Sequence, residues 1–348
     1  MLSTAFEFAK RHKAKIIAGS VLLGGAIAYT LGVDKQKEFE RPHLQNELPI
    51  QARRHYIFDA THRSCDQSIT DLIPSITTQI EARFNLEQIR KKLDDPELKI
   101  ENKFPLWETL LKNTLSRMIC VAYGFSMLTL TLKAQISILA GETCANLESR
   151  TVANSWYDYL PQFLKSEQPT VSKAVNVDNA EEISNRRIFL QCIQYFTLKG
   201  IPLLMETVAK AVSEELTCWN MMDVKSKDDV RQFFDNVSFK VGTQNMFRKL
   251  VAPIDSDMDQ SSSIIHLLKK LTSVLESDTS IHIFNSLLDF YYSAALKMVE
   301  NWEQPVIRYC PAFANAYPVL TSTAFDSPLF NSLYSSDVHK FAVHVFNT

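Results

Sequence analysis

Residues able to do chemistry are few in this chain and poorly spaced for it. The eight histidines are His12, His43, His55, His62, His266, His282, His339 and His344, and only His62 stands at ligand-like spacing from a cysteine, Cys65. Two ligands do not make a metal site, because zinc needs four, or three plus a water. Asp255, Asp257 and Asp259 imitate the opening of a calcium loop. The glycine and the distal glutamate of such a loop are missing, which leaves a solvated acidic loop. Asp94 and Asp95 lie beside Pro96 in a polar break and suit solvent. There is no HExxH, no GxSxG and no glycine-rich phosphate loop. Nothing assembles a nucleophile, a base and an oxyanion site, so no catalytic residue, metal or cofactor is expected.

The elements that would carry any site must be helical. The chain has 348 residues, 46% of them hydrophobic and 22% charged, which is a folding composition. It has only eight glycines, and Gly19, Gly24, Gly25 and Gly32 fall in one apolar stretch. Tight hairpins and dinucleotide folds need glycine where φ is positive or where backbone meets ligand. An all-α fold follows. The six cysteines lie at least 24 residues apart and several sit in apolar runs, as in Met118-Ile-Cys120-Val. They read as buried thiols of a body facing a reducing compartment.

Charge is uneven. Lys10, Arg11, Lys13 and Lys15 against Glu7 give residues 1–15 a net of +3, and the overall −2 therefore leaves −5 on the remainder. An acidic body does not suit a general nucleic-acid binder. From Ile16 to Val33 no charge occurs. This run of eighteen residues is at the short end for crossing a bilayer, and basic residues precede it. A retained single-pass anchor is the expectation, over a cleaved signal peptide or a buried core helix. Ser20, Gly24, Ala28 and Gly32 would form a small-residue stripe on it. The basic front would keep the N-terminus cytosolic, whereas the cysteines favour a cytosolic body.

Residues 1–15 thus read as a basic segment, 16–33 as a transmembrane helix, 34–50 as a charged stalk and 51–348 as a bundle of about six long helices. Ile69, Leu72, Ile73, Ile76, Ile80, Phe84, Ile89 and Leu93 predict one amphipathic helix over 68–93, bent at Pro74 or starting after it. Pro105 should stand just ahead of the next helix. That helix is apolar nearly all round from Met118 to Leu132, as befits the centre of a bundle. Further helices are expected over 183–216 (bent at Pro202), from Ser226-Lys-Asp-Asp229, over 264–276 and 280–302, and over 335–346. Residues 151–182 and 252–263 read as loops, and Pro305, Pro311, Pro318 and Pro328 as an irregular stretch.

Several blocks together resemble the peroxin-3 family. They are Phe8-Ala-Lys10-Arg-His-Lys13-Ala-Lys15 before the apolar span, Gln51-Ala-Arg-Arg-His-Tyr-Ile-Phe58, and Arg63-Ser-Cys65. Asn102-Lys103-Phe104-Pro-Leu-Trp107-Glu108 resembles the family's tryptophan-bearing segment. Arg117–Gly141 resembles its central helix, and Ser335-Ser-Asp337-Val-His-Lys-Phe341-Ala its closing segment. The resemblance is strong over 1–145, looser over 183–217 and the C-terminus, and thin between. It implies a non-enzymatic peroxisomal membrane protein with its N-terminus in the matrix and its body in the cytosol, with possible transit through the endoplasmic reticulum.

The implied partner is the N-terminal amphipathic helix of peroxin-19, which brings membrane-protein cargo to the peroxisomal lipids. Inheritance or degradation adaptors are further partners that the resemblance allows. Trp107 matches the family's anchor and Lys103 precedes it by one turn. Leu93 matches the facing wall, which Phe104 and Ile89 would extend. Lys10, Arg11, Lys13 and Lys15, with Gly24 and Gly25, match the targeting and anchor segment. The break between Leu93 and Lys103 is longer than in the family, and Asp94 stands where a lysine is expected. Arg53 and Arg54 are expected to pair with carboxylates near the membrane end. The competing roles are an organelle tether, which should not need Trp107, and a lipid-binding helical protein.

Overall fold

The computed structural model describes residues 50–149, 186, 188–242, 246–251 and 263–348, and among these every extended element is a helix. The anchor, the stalk, the loops at 151–182 and 252–262, and the aspartates of the calcium-like run lie outside the described residues.

Helix α1 spans Ile50–Arg83 and continues through Pro74. This excludes the expected start after Pro74. Pro74 is exposed, so its ring faces solvent and the helix forfeits only one hydrogen bond. The chain breaks later, at Phe84-Asn85. The Asn85 side chain accepts the Gln88 N–H at 3.0 Å and so caps α2, Leu86–Leu93.

Helix α3, Ile100–Ser149, contains Pro105 instead of following it. So near the start, the missing N–H costs little. At 50 residues α3 is about 75 Å long. An ordinary surface helix buries one face and wets the other. Residues 114–138 of α3 are instead buried on every side, apart from the half-buried Arg117. Helices α1 and α2 and most of the elements described below pack around it. The expected central helix is therefore the axis of the bundle.

Helix α4, Ile188–Leu216, carries a π-helical turn at Phe196–Gly200 immediately before Pro202. The wider turn accommodates the proline, whose N–H is unavailable to the ladder. A Cβ on Gly200 would lie 2.4 Å from the Leu250 carbonyl oxygen, so only glycine permits that approach. Helix α5, Lys227–Val241, starts at the expected signal: Ser226 and Asp229 form a reciprocal capping box. Then come α6 (Met246–Leu250), α7 (Ser263–Leu275) and α8 (Asp278–Leu296), the last ending short of Trp302.

The proline-punctuated stretch is largely helical, which corrects the irregular reading. Pro305 precedes a 3₁₀ turn at Val306–Tyr309, Pro311 opens α9 (Cys310–Leu320), and Pro328 opens α10 (Pro328–Leu333). Proline suits a first turn because those N–H groups have no intrahelical acceptor. Helix α11, Ser336–Asn347, lies where a closing helix is expected, and Ser335 caps it. α3 and α4 are long and apolar enough to cross a membrane, but the apolar stretch of α3 is 94% buried within the protein. It is a core helix.

Candidate docking surface

The surface forms where α3 leaves the core. Ile100, Phe104 and Trp107 recur at spacings of four and three, which places them on one helix face. They are 76%, 44% and 38% exposed. The same face continues into Leu110, Leu111 and Leu115, all buried. Trp107 is therefore not a core tryptophan. It stands on an apolar stripe with one end locked into the bundle and the other open. Glu101 and Glu108 are exposed beside it.

The remaining expected site residues support this stripe from behind. Leu86, Ile89 and Leu93 form the buried face of α2, and Ile89 and Leu93 are only 9% and 7% exposed. They pack into the core instead of presenting a wall. The Lys103 ammonium donates to the Leu93 carbonyl oxygen at 2.9 Å, at the C-terminus of α2. A cation there meets the negative end of the helix dipole. Further along α3, Arg117 does the same for α1. Its Nε donates to the Phe84 carbonyl at 2.8 Å, and its guanidinium lies 5.0 Å from the centre of the Tyr317 ring. Thus α3 holds the ends of both preceding helices with its own cations.

Sequence reasoning missed Ile100 and these two clamps. The signal for Ile100 was its four-residue spacing from Phe104, hidden by placing the helix start at Pro105. A side chain reaching another helix's carbonyl leaves no local signal.

The other chemical candidates settle into structural roles. Cys65 is buried, which pushes its thiol up to about 12. His62 is pushed down to about 3, by burial first and by the nearby Lys133 charge second. Its Nε2 lies 3.1 Å from the Ser137 hydroxyl. Lys133 pairs with Asp66 at 2.6 Å, tying α3 to α1 in a nearly dry setting. Among the described residues, no three histidine, cysteine or carboxylate groups converge as metal ligands. Arg54 donates to the Asn347 amide oxygen at 3.0 Å and lies 5.5 Å over the Phe346 ring. Arg53's side chain, like Lys10, Arg11, Lys13, Lys15, Gly24 and Gly25, lies outside what is described.

No family model matches the sequence. Curated relatives do. The chain is 23% identical to peroxisomal biogenesis factor 3 of Rattus norvegicus over 316 residues, covering 88% of this chain and 81% of that protein. The Mus musculus protein of the same name is 24% identical over the same coverage. Its Cricetulus longicaudatus counterpart is 31% identical over 143 residues, 40% of this chain and 37% of that protein.

Proposed function

We propose that this chain, which is similar to peroxisomal biogenesis factor 3 of Rattus norvegicus and Mus musculus over most of its length, is a docking receptor at the peroxisomal membrane for the N-terminal amphipathic helix of peroxin-19. The coarser role, in peroxisome biogenesis, follows from the relatives. The observation that supports the finer one is the open apolar stripe Ile100–Phe104–Trp107 at the exposed end of a helix whose centre is sealed in the core.

Ile100, 76% exposed, stands one turn before the half-open Phe104, and Trp107 follows at the next turn. Contiguous exposed apolar surface marks an interaction site. A helix partner would lay its own i, i+3, i+7 side chains along the stripe. Trp107, the largest residue in it and the nearest to the core, would be the hot spot. Lys103 then acts by holding α2 against α3, so that the stripe keeps its shape, and Leu93 and Ile89 act as the packing beneath.

On this reading docking needs no hydrolysis. Binding draws cargo-loaded peroxin-19 to the bilayer, where the cargo inserts. The test is titration of the full chain, in detergent or nanodiscs, with a labelled peptide of that peroxin-19 helix. Saturable one-to-one binding that a stripe variant abolishes is expected. A folded wild-type chain that ignores the peptide would remove the docking role and leave the tether reading in front.

A further inference from the structure

Away from the stripe, Phe325, Phe330 and Tyr334 form a short aromatic row at α10. The Phe330 ring centre lies 4.4 Å from that of Phe325 and 4.5 Å from that of Tyr334. The row stands outside the core. Phe325 is 79% exposed and Tyr334 59%, with Phe330 half-buried between them. The backbone beneath is nevertheless fixed. The Ser327 hydroxyl oxygen accepts the Phe330 N–H, and the Tyr334 N–H closes the same helix on the Phe330 carbonyl. Leu329 and Leu333 of α10 are buried. The rings are therefore held in place without being covered, and contiguous exposed apolar surface of this kind marks an interaction site.

We propose that this row docks an arginine-bearing peptide segment of a partner protein, with the guanidinium groups lying on the rings. Charge selects that occupant. Residues 309–339 contain no lysine or arginine, and their two carboxylates are Asp326, directly after Phe325, and Asp337, three residues past Tyr334. Both are exposed, and among the described residues neither forms an ion pair with a cation. Arg63 and Asp59, which share a depression with Tyr334, offset each other.

The fold already holds an arginine with the same set of groups elsewhere. The Arg231 guanidinium lies 5.8 Å from the centre of the Tyr292 ring and pairs with both Asp235 and Asp289. A ring face attracts a cation through its quadrupole. A planar guanidinium can stack on the ring while its edge reaches a carboxylate, which an ammonium does less well. At the aromatic row the rings and two carboxylates recur without a cation of the chain's own. A second copy seated on the same row would bring the four aspartates together, and like charges oppose that pairing. An anionic bilayer surface would meet the same carboxylates. A cationic segment gains from both the rings and the aspartates.

The probe is a fluorescein-labelled alanine–glutamine peptide with arginine at every fourth position. Its control carries citrulline instead, which keeps the shape and removes the charge. Both are titrated by fluorescence polarisation against the full chain in nanodiscs of phosphatidylcholine. The arginine peptide should bind saturably and the citrulline peptide should not. Phe325→Ala combined with Tyr334→Ala should weaken binding about two- to fivefold for each ring lost. Asp326→Asn combined with Asp337→Asn should weaken it too and reduce its salt dependence. The peroxin-19 peptide should bind both variants as it binds wild type, and Trp107→Ala should leave the arginine peptide bound. This surface and the stripe are thus read separately. If a variant does not fold by circular dichroism, a photo-crosslinking form of the arginine peptide decides on wild type, with cross-links expected within 325–337. Equal binding of the two peptides, undiminished binding by the ring variant, or cross-links elsewhere overturns the proposal. Binding in detergent that disappears in nanodiscs also overturns it, because the bilayer would then be what covers the row.

Discussion

Trp107→Ala separates docking from folding. An aromatic side chain offers up to about 250 Å². The 38% of Trp107 that remains open is then about 95 Å², worth about 2.4 kcal/mol at 25 cal/mol per Å² when a partner covers it. Replacement by alanine should therefore weaken peptide binding by about 2 kcal/mol, roughly 30-fold in Kd. The assay is fluorescence polarisation of the labelled peroxin-19 peptide against the full chain, with circular dichroism melts of the same samples. Leu111→Ala is the matched control, one turn further along the same face and only 3% exposed. It should cost about 2–5 kcal/mol of stability through its cavity, while folded molecules still bind. If Trp107→Ala lowers the melting temperature as much as Leu111→Ala does, Trp107 is a packing residue and the stripe argument fails. If it binds as wild type does, the stripe is not the dock.

Lys103→Met keeps the aliphatic stem and removes the ammonium from the Leu93 carbonyl. Loss of that charge-assisted bond should cost about 1–2 kcal/mol and speed hydrogen exchange in α2 selectively; unchanged exchange there would show that the bond holds nothing. Gly141 lies where a Cβ would come 2.5 Å from the Phe346 carbonyl oxygen. Gly141→Ala should push α11 off α3, at about 1–3 kcal/mol, and expose the C-terminus to limited proteolysis; an undisturbed proteolytic pattern would refute that close approach. His62 makes stability fall in acid. Folded, it stays neutral down to about 3, whereas the unfolded chain takes up the proton near 6.5. Below pH 6.5 the unfolded state binds the extra proton, so about 2 kcal/mol should be lost by pH 5. Asp66, raised by burial, acts in the opposite sense, so the quantity to read is wild type minus His62→Gln by denaturant titration. A difference independent of pH would mean that His62 titrates normally in the fold.

What the sequence made legible was what it encodes locally. Ser226-Lys-Asp-Asp229 announces α5 because the cap and its reciprocal carboxylate are three residues apart. Met118–Leu132 announces the bundle axis because a run apolar all round and only fifteen residues long, too short to span a bilayer, must be covered by other helices. Pro74 and Pro105 misled because their cost depends on context. Pro74 faces solvent in a helix that packs along α3, and Pro105 lies where few hydrogen bonds exist to lose. Within the site, Trp107 and Phe104 were legible, but their exposure was not. Ile89 and Leu93 satisfied the pattern expected of a docking wall because the buried face of any amphipathic helix satisfies it. Only the tertiary structure says which apolar face is covered.

The stripe and the core are one helix, and this bears on affinity. A docking residue on a loop must be ordered by its partner, and the ordering opposes binding. Ile100, Phe104 and Trp107 are carried on the end of α3, whose next turns are buried and whose flank is fixed by Lys103 to α2. On the proposed docking role, the partner's helix would therefore meet a surface that is already rigid, and the ordering cost would fall on the partner. Substitutions that loosen this support without touching the stripe, such as Lys103→Met, should then weaken docking mainly by slowing productive association. Loss of Trp107 should act instead through faster dissociation. Stopped-flow traces of the two variants distinguish these outcomes, and identical dissociation rates in both would show that the stripe is not preorganised by α2.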